Sequence, residues 1–145
     1  MRRNKLVVFL HCVWATWDRL PLITPDVERR LHRNIESEAR QLGCDVLALN
    51  GMPDHVHVLV KFPSTLTIAE LLKQMKGVSS NFANEELFKD KPTPFKWQGG
   101  YAAFSVSRWD VDKIISYINR QKEHHAAADL WPEYEETYEE VEASQ

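Results

Sequence analysis

The sequence predicts an α+β domain: a ferredoxin-like β-α-β-β-α-β antiparallel sheet with an added C-terminal helix. Three observations predict it. Segments with strand-like alternation and segments with helical periodicity follow one another in that order along the chain. Gly51-Met52-Pro53-Asp54 is a turn that joins two of the strand-like runs as a hairpin. The chain has 145 residues, 43% of them hydrophobic, enough for one domain with a real core.

Leu6–Trp17 is apolar, rich in β-branched and aromatic residues, and is the first strand; Arg19-Leu20-Pro21 breaks it. Thr24-Pro25 starts a helix, with a threonine cap and proline at the first helical position. Val27, Leu31, Ile35, Ala39 and Leu42 recur at helical spacing, and Gly43 closes the helix. Cys44–Asn50 and His55–Phe62 are the second and third strands. Thr67-Ile68-Ala69-Glu70 is a capping box opening a second helix with Ile68, Leu71, Leu72, Met75 and Phe82 on one face. Asp90–Gly100 is a loop, Tyr101–Ser107 a short fourth strand at the sheet edge, and Asp110 caps a third helix running to about His125.

Residues 1–128 form the predicted domain and 129–145 an acidic tail. The net charge of −3 is unevenly spread: 133–145 hold six glutamates and no lysine or arginine, so 1–132 carry 18 basic against 15 acidic residues, a net of +3. A mildly basic body with a solvated acidic end is compatible with a nucleic-acid enzyme, although such runs commonly serve only solubility. No run approaches the roughly 18 apolar residues of a membrane span. The basic start is interrupted too early for a signal peptide. Cys12 and Cys44 sit inside apolar segments, which fits buried thiols and a cytoplasmic location.

Chemistry concentrates in two places. His55 and His57 stand at i and i+2 on a predicted central strand, so both point to the face opposite Val56, Val58 and Val60, about 7 Å apart at the backbone. That spacing suits two imidazoles sharing one ion, or two histidines on a solvated sheet face. Tyr117 and Gln121 lie at i and i+4 on the last helix, whose buried stripe is Val111, Ile114, Ile115 and Ile118. Tyr117, Gln121 and His124 fall along one edge of the stripe, at the seam between helix and sheet.

In combination these features resemble the single-tyrosine HUH transposases of small bacterial insertion sequences and their relatives associated with repetitive extragenic palindromes. The resemblance covers roughly residues 5–125. It rests on Pro53-Asp54-His55-Val56-His57-Val58-Leu59, Lys76-Gly77-Val78-Ser79-Ser80, Trp97-Gln98-Gly99-Gly100-Tyr101 and the Tyr117/Gln121 pair. It implies that Tyr117 is the nucleophile, that His55, His57 and Gln121 hold a divalent ion (Mg2+ or Mn2+), and that the protein cleaves and rejoins single-stranded DNA through a 5′-phosphotyrosine intermediate. The implied partners are hairpin-forming single-stranded DNA and a second copy of the chain. The fourth strand, free of proline and charge, is the expected dimer seam, and the resemblance favours Tyr117 serving the partner's histidines. The acidic tail matches no part of the pattern.

Other residues have two readings each. His11, on the first central strand, lines the open face or is a satisfied core histidine. His124 contacts DNA or metal, or with His125 complements the helix dipole. Lys5, Lys73 and Lys76, with Arg2 and Arg3, are candidate phosphate contacts or solvated surface. Trp97, in a Lys/Gly loop, is a candidate to stack on an unpaired base, while Trp14 and Trp17 pack in or beside the core. Two further functions fit the same residues: a domesticated nickase acting on repetitive hairpins, and a non-catalytic single-strand binder on the sheet used by RNA-recognition domains. Histidines stand where such a binder would place aromatic rings, which favours metal chemistry.

Overall fold

A computed structural model describes residues 4–126. The tail, Arg2 and Arg3 lie outside the described residues. The elements are β1 (Phe9–Ala15), α1 (Pro25–Gln41), β2 (Asp45–Met52), β3 (His55–Lys61), α2 (Ile68–Phe82), β4 (Ala102–Val106), α3 (Val111–Asn119) and α4 (Gln121–Ala126). The four strands form one sheet in the order β2-β3-β1-β4, antiparallel throughout, with β1 and β3 central and β4 at an edge. This is the expected ferredoxin-like arrangement.

Alternation along the central strands divides the sheet into two faces. Leu10, Cys12 and Trp14 of β1 and Val56, Val58 and Val60 of β3 are buried in the main core, which also contains Leu31 and Ile35 of α1 and Leu71, Leu72 and Met75 of α2. On the opposite face Ile114 and Ile118 of α3 pack on Leu59 and Ala48 in a smaller core. The sheet face that bears the histidines is therefore partly roofed by α3.

Several boundaries differ from expectation, each for a local reason. β1 begins at Phe9 rather than Leu6, because Phe9 is where its register with both β3 and β4 ends. It stops at Ala15 because Trp17–Arg19 forms a tight turn in which Asp18 and Arg19 take left-handed φ values of 52° and 53°. β2 runs on through Gly51 and Met52, which shortens the hairpin turn to Pro53-Asp54. Gly51 makes that possible: a Cβ there would collide with the His55 carbonyl oxygen and stand 2.9 Å from Val56 Cα. Thr24 occupies the cap position of α1, but its hydroxyl bonds the Asp26 carboxylate rather than the helix backbone. Of the predicted α2 face, Leu71, Leu72 and Met75 are buried, whereas Ile68 remains exposed at the helix start.

The last helix is not continuous. Arg120 (φ −106°, ψ 25°) separates α3 from α4. The Asn119 carbonyl at this break accepts a 3.1 Å hydrogen bond from the Asn50 side chain of β2, an outside donor for a terminal helix carbonyl.

Trp97 is the largest departure. The structure places it in the core, 6% exposed, with edge contacts to Trp14 (5.6 Å between ring centroids) and Phe95 (4.6 Å). Its indole N–H donates to Ser79 Oγ at 3.0 Å. The cause is strand-like pairing of the loop: Trp97 bridges Thr16, Trp17 N–H donates to the Lys96 carbonyl, and Gln98 N–H donates to the Ala15 carbonyl. Alternation then turns Phe95 and Trp97 inward and Lys96 outward. In this position Trp97 has no ring face for a base. Trp97→Ala is expected to lower unfolding stability by about 3–5 kcal/mol, measured by denaturant titration, with little change in the DNA affinity of the folded fraction.

Candidate metal and tyrosine centre

The site forms where the β3 end of the hairpin meets the α3–α4 junction. His55 and His57 project from β3 to the same face, with ring centroids 5.1 Å apart, and both are buried. Backbone register places Ala15 opposite His55 and Val13 opposite His57. Small or β-branched neighbours on β1 thus leave room for two imidazoles in the middle of the sheet.

Each histidine is oriented by a second group. The Asp54 carboxylate lies 2.7 Å from His55 Nδ1. A carboxylate only accepts, so Nδ1 carries the proton and Nε2 presents its lone pair. Burial alone would raise the Asp54 pKa, but the hydrogen bond from His55 and the Arg19 guanidinium, 3.6 Å away, outweigh it and hold the carboxyl below its usual range. His57 Nδ1 is 2.8 Å from His11 Nε2, and the two rings stack at 5.1 Å. His11 therefore lines the same face, as alternation along β1 permits.

The helical half arrives from the end of the described chain. Gln121 Oε1 lies 3.4 Å from His55 Nε2 and 3.2 Å from His125 Nε2. The Tyr117 ring stands edge-on to His57 at 6.1 Å and stacks on His124 at 4.7 Å. Tyr117 is 1% exposed and Gln121 fully buried, at the seam that the periodicity predicted. Lys122 pins α4 in place: its ammonium donates to Glu28 of α1 at 2.6 Å, to Asn50 Oδ1 at 3.0 Å and to the Gly51 carbonyl at 3.3 Å. No sequence signal pointed to Lys122 or Asn50, which meet across 72 positions.

The donor set fits a divalent ion. Two imidazoles whose outer nitrogens are tied to Asp54 and His11, plus an amide oxygen close to one of them, are ligand types that accept Mn2+ and tolerate Mg2+. Among the described residues no group of three or more His, Cys, Asp or Glu side chains could hold a metal ion; the Gln121 amide oxygen is a further oxygen donor beside His55. Tyr117 already stands against the histidine of its own chain.

The candidate phosphate contacts are scattered. Lys73 and Lys76 belong to α2, on the face away from the histidines. Lys76 donates to the Gln98 and Gly100 carbonyls, both at 2.8 Å, and burial pulls its pKa down to about 8. It ties down the loop before β4. Lys5 is exposed ahead of β1.

Comparison with known proteins identifies the family. Residues 5–121 match the family model for IS200-like transposases. The chain is 28% identical to the ISDra2 transposase TnpA of Deinococcus radiodurans over 114 residues, covering 77% of this chain and 81% of that protein. A solved structure from D. radiodurans R1, assigned as a transposase, superposes with a TM-score of 0.66 at 26% identity, covering 83% of this chain and 98% of that one. A REP-associated tyrosine transposase solved with a REP hairpin shares the fold, with a TM-score of 0.62 at 14% identity over 91% of this chain and 79% of that one. With the match spanning the sheet, the hairpin histidines and the helix that carries Tyr117, this chain belongs to the family of IS200-like transposases.

Proposed function

We propose that the chain cleaves and rejoins single-stranded DNA at hairpin-forming ends, with Tyr117 as nucleophile and His55, His57 and Gln121 as the holders of a divalent ion. One observation carries the reading. A tyrosine and a glutamine from the C-terminal helices are brought against a histidine pair about sixty residues away in the chain and buried there. A structural role alone would not require polar groups to be gathered on that buried face.

Mg2+ or Mn2+ bound at these donors would polarise the scissile phosphodiester and stabilise the departing oxygen. Tyr117 Oη attacks the phosphorus in line. The phenol proton is lost as the P–O bond to tyrosine forms, the bond to the 3′ oxygen breaks, and that oxygen takes up a proton. The product is a 5′-phosphotyrosine and a free 3′-OH. A second 3′-OH reverses the step and joins a new strand, so no ATP is consumed. Burial under His124 and beside His57 keeps bulk water from the tyrosine. Asp54 and His11 fix the ring orientations of the two histidines. The likeness to a hairpin-bound relative supports hairpin DNA as the substrate class. We also propose a homodimer paired through β4, an edge strand without charge or proline.

The test is a covalent adduct. A hairpin oligonucleotide with single-stranded extensions, labelled on its 3′ side and incubated with Mn2+, should give a labelled protein band that survives SDS. DNA binding with no adduct and no nicking under any divalent ion would reduce the protein to a binder.

A further inference from the structure

One surface beside the site takes no part in the chemistry above. Trp17 is 47% exposed, and the Lys96 ammonium lies over its ring at 3.8 Å. The two residues are held together by the backbone, since Trp17 N–H donates to the Lys96 carbonyl at 2.9 Å. The turn that presents Trp17 is fixed on its other side by Thr16. Its hydroxyl donates to the Leu20 carbonyl at 2.6 Å, and its N–H to the Asp54 carbonyl at 2.9 Å. Arg19, two residues on, faces the Asp54 carboxylate, and that carboxylate orients His55. An exposed aromatic ring and two cations are therefore built onto the residue that positions a candidate metal ligand. Trp17 follows Ala15, the strand partner of His55, by two residues, so its Cα lies within roughly 13 Å of that of His55.

We propose that Trp17 is a stacking platform for an unpaired base near the scissile phosphate, with Lys96 and Arg19 contacting the flanking phosphates. The proposal rests on the reading that the site acts on single-stranded DNA. An aromatic face takes any base, and neighbouring cations follow the backbone charge. Lys96 covers the ring when no DNA is present and exchanges it for a phosphate when DNA arrives. Two carboxylates stand nearby: Asp54 is compensated by His55 and Arg19, and Asp18 lies in the turn itself. Location singles out Trp17. Trp109 is more exposed, at 79%, and Arg108 lies over it at 4.3 Å. It follows β4, whose last residue, Val106, pairs with Phe9 at the far end of β1, roughly 20 Å from the His55 end. Trp97 is buried.

Fluorescence anisotropy with a labelled hairpin carrying single-stranded extensions tests the assignment, with adduct formation scored in the same samples. Trp17→Ala is expected to weaken binding about tenfold. Trp17→Phe should restore most of the loss, and Trp109→Ala should match wild type. An abasic site moved stepwise along the extension should find one position that costs wild type as much as Trp17→Ala does and costs that variant nothing more. Lys96→Met should reduce the salt slope by about one. Equal affinities of Trp17→Ala and wild type, in samples where wild type still forms the adduct, would overturn the platform and leave the nuclease reading standing. A wild type that neither binds nor cleaves single strands would overturn both.

Discussion

Tyr117→Phe is expected to lower cleavage of single-stranded hairpin DNA by at least about a thousandfold, with binding close to that of wild type. The change removes one oxygen from a side chain that is 1% exposed. The ring contacts with His57 and His124 remain, and they carry the packing of the side chain in α3. What is lost is the atom proposed to attack the phosphorus. Gel assays of nicking and of the SDS-resistant adduct report the chemical step, and anisotropy reports binding. A Phe variant that nicks at the wild-type rate would remove Tyr117 from its role. A variant that neither binds nor folds would show that the hydroxyl serves structure.

The second large effect concerns the ion. His57→Ala should cost at least about a hundredfold in cleavage, and excess chelator should do the same to wild type, with recovery on adding Mn2+. Undiminished cleavage in chelator would exclude the proposed roles of His55, His57 and Gln121. The same variant asks which subunit each tyrosine serves. Because Tyr117 stands against His57 of its own chain, a mixture of Tyr117→Phe and His57→Ala proteins is expected to stay inactive after subunit exchange, every site retaining one defect. Restored activity would show instead that the helix crosses to the partner.

Much of this site is legible in the sequence. Alternation along β3 put His55 and His57 on one face, and the 3.6-residue period put Tyr117 and Gln121 at the edge of a buried stripe. Both patterns are local, and both held. What escaped are contacts between segments distant in sequence. His11 was ambiguous because a single histidine in an apolar strand reads the same whether it meets another imidazole or a backbone group. Lys122 and Asn50 gave no sign, because an exposed lysine on a helix and an asparagine near a turn are commonplace. Trp97 misled because Lys, Gly and Gln around it suggested an exposed loop, whereas pairing with Thr16 imposed strand alternation on a segment too short to show it. The break at Arg120 leaves no sign for a similar reason: the apolar period runs on to Ile118, and the Asn119 carbonyl at the break is met by a side chain of β2.

That break has a consequence for how the site comes apart. Beyond Arg120 the described residues of α4, Gln121–Ala126, no longer continue α3 and are held to the sheet by their own contacts. Lys122 and its partners hold α4 to β2 and α1. The two histidines sit on a central strand, among the last segments to open, while Gln121 belongs to one of the first. Amide exchange should reveal the division, with protection falling sharply between Ile118 and Lys122. Ligation of the glutamine would then slow exchange in α4 well before it changed any protection in the sheet, so that the ion would be felt first as local order rather than as global stability.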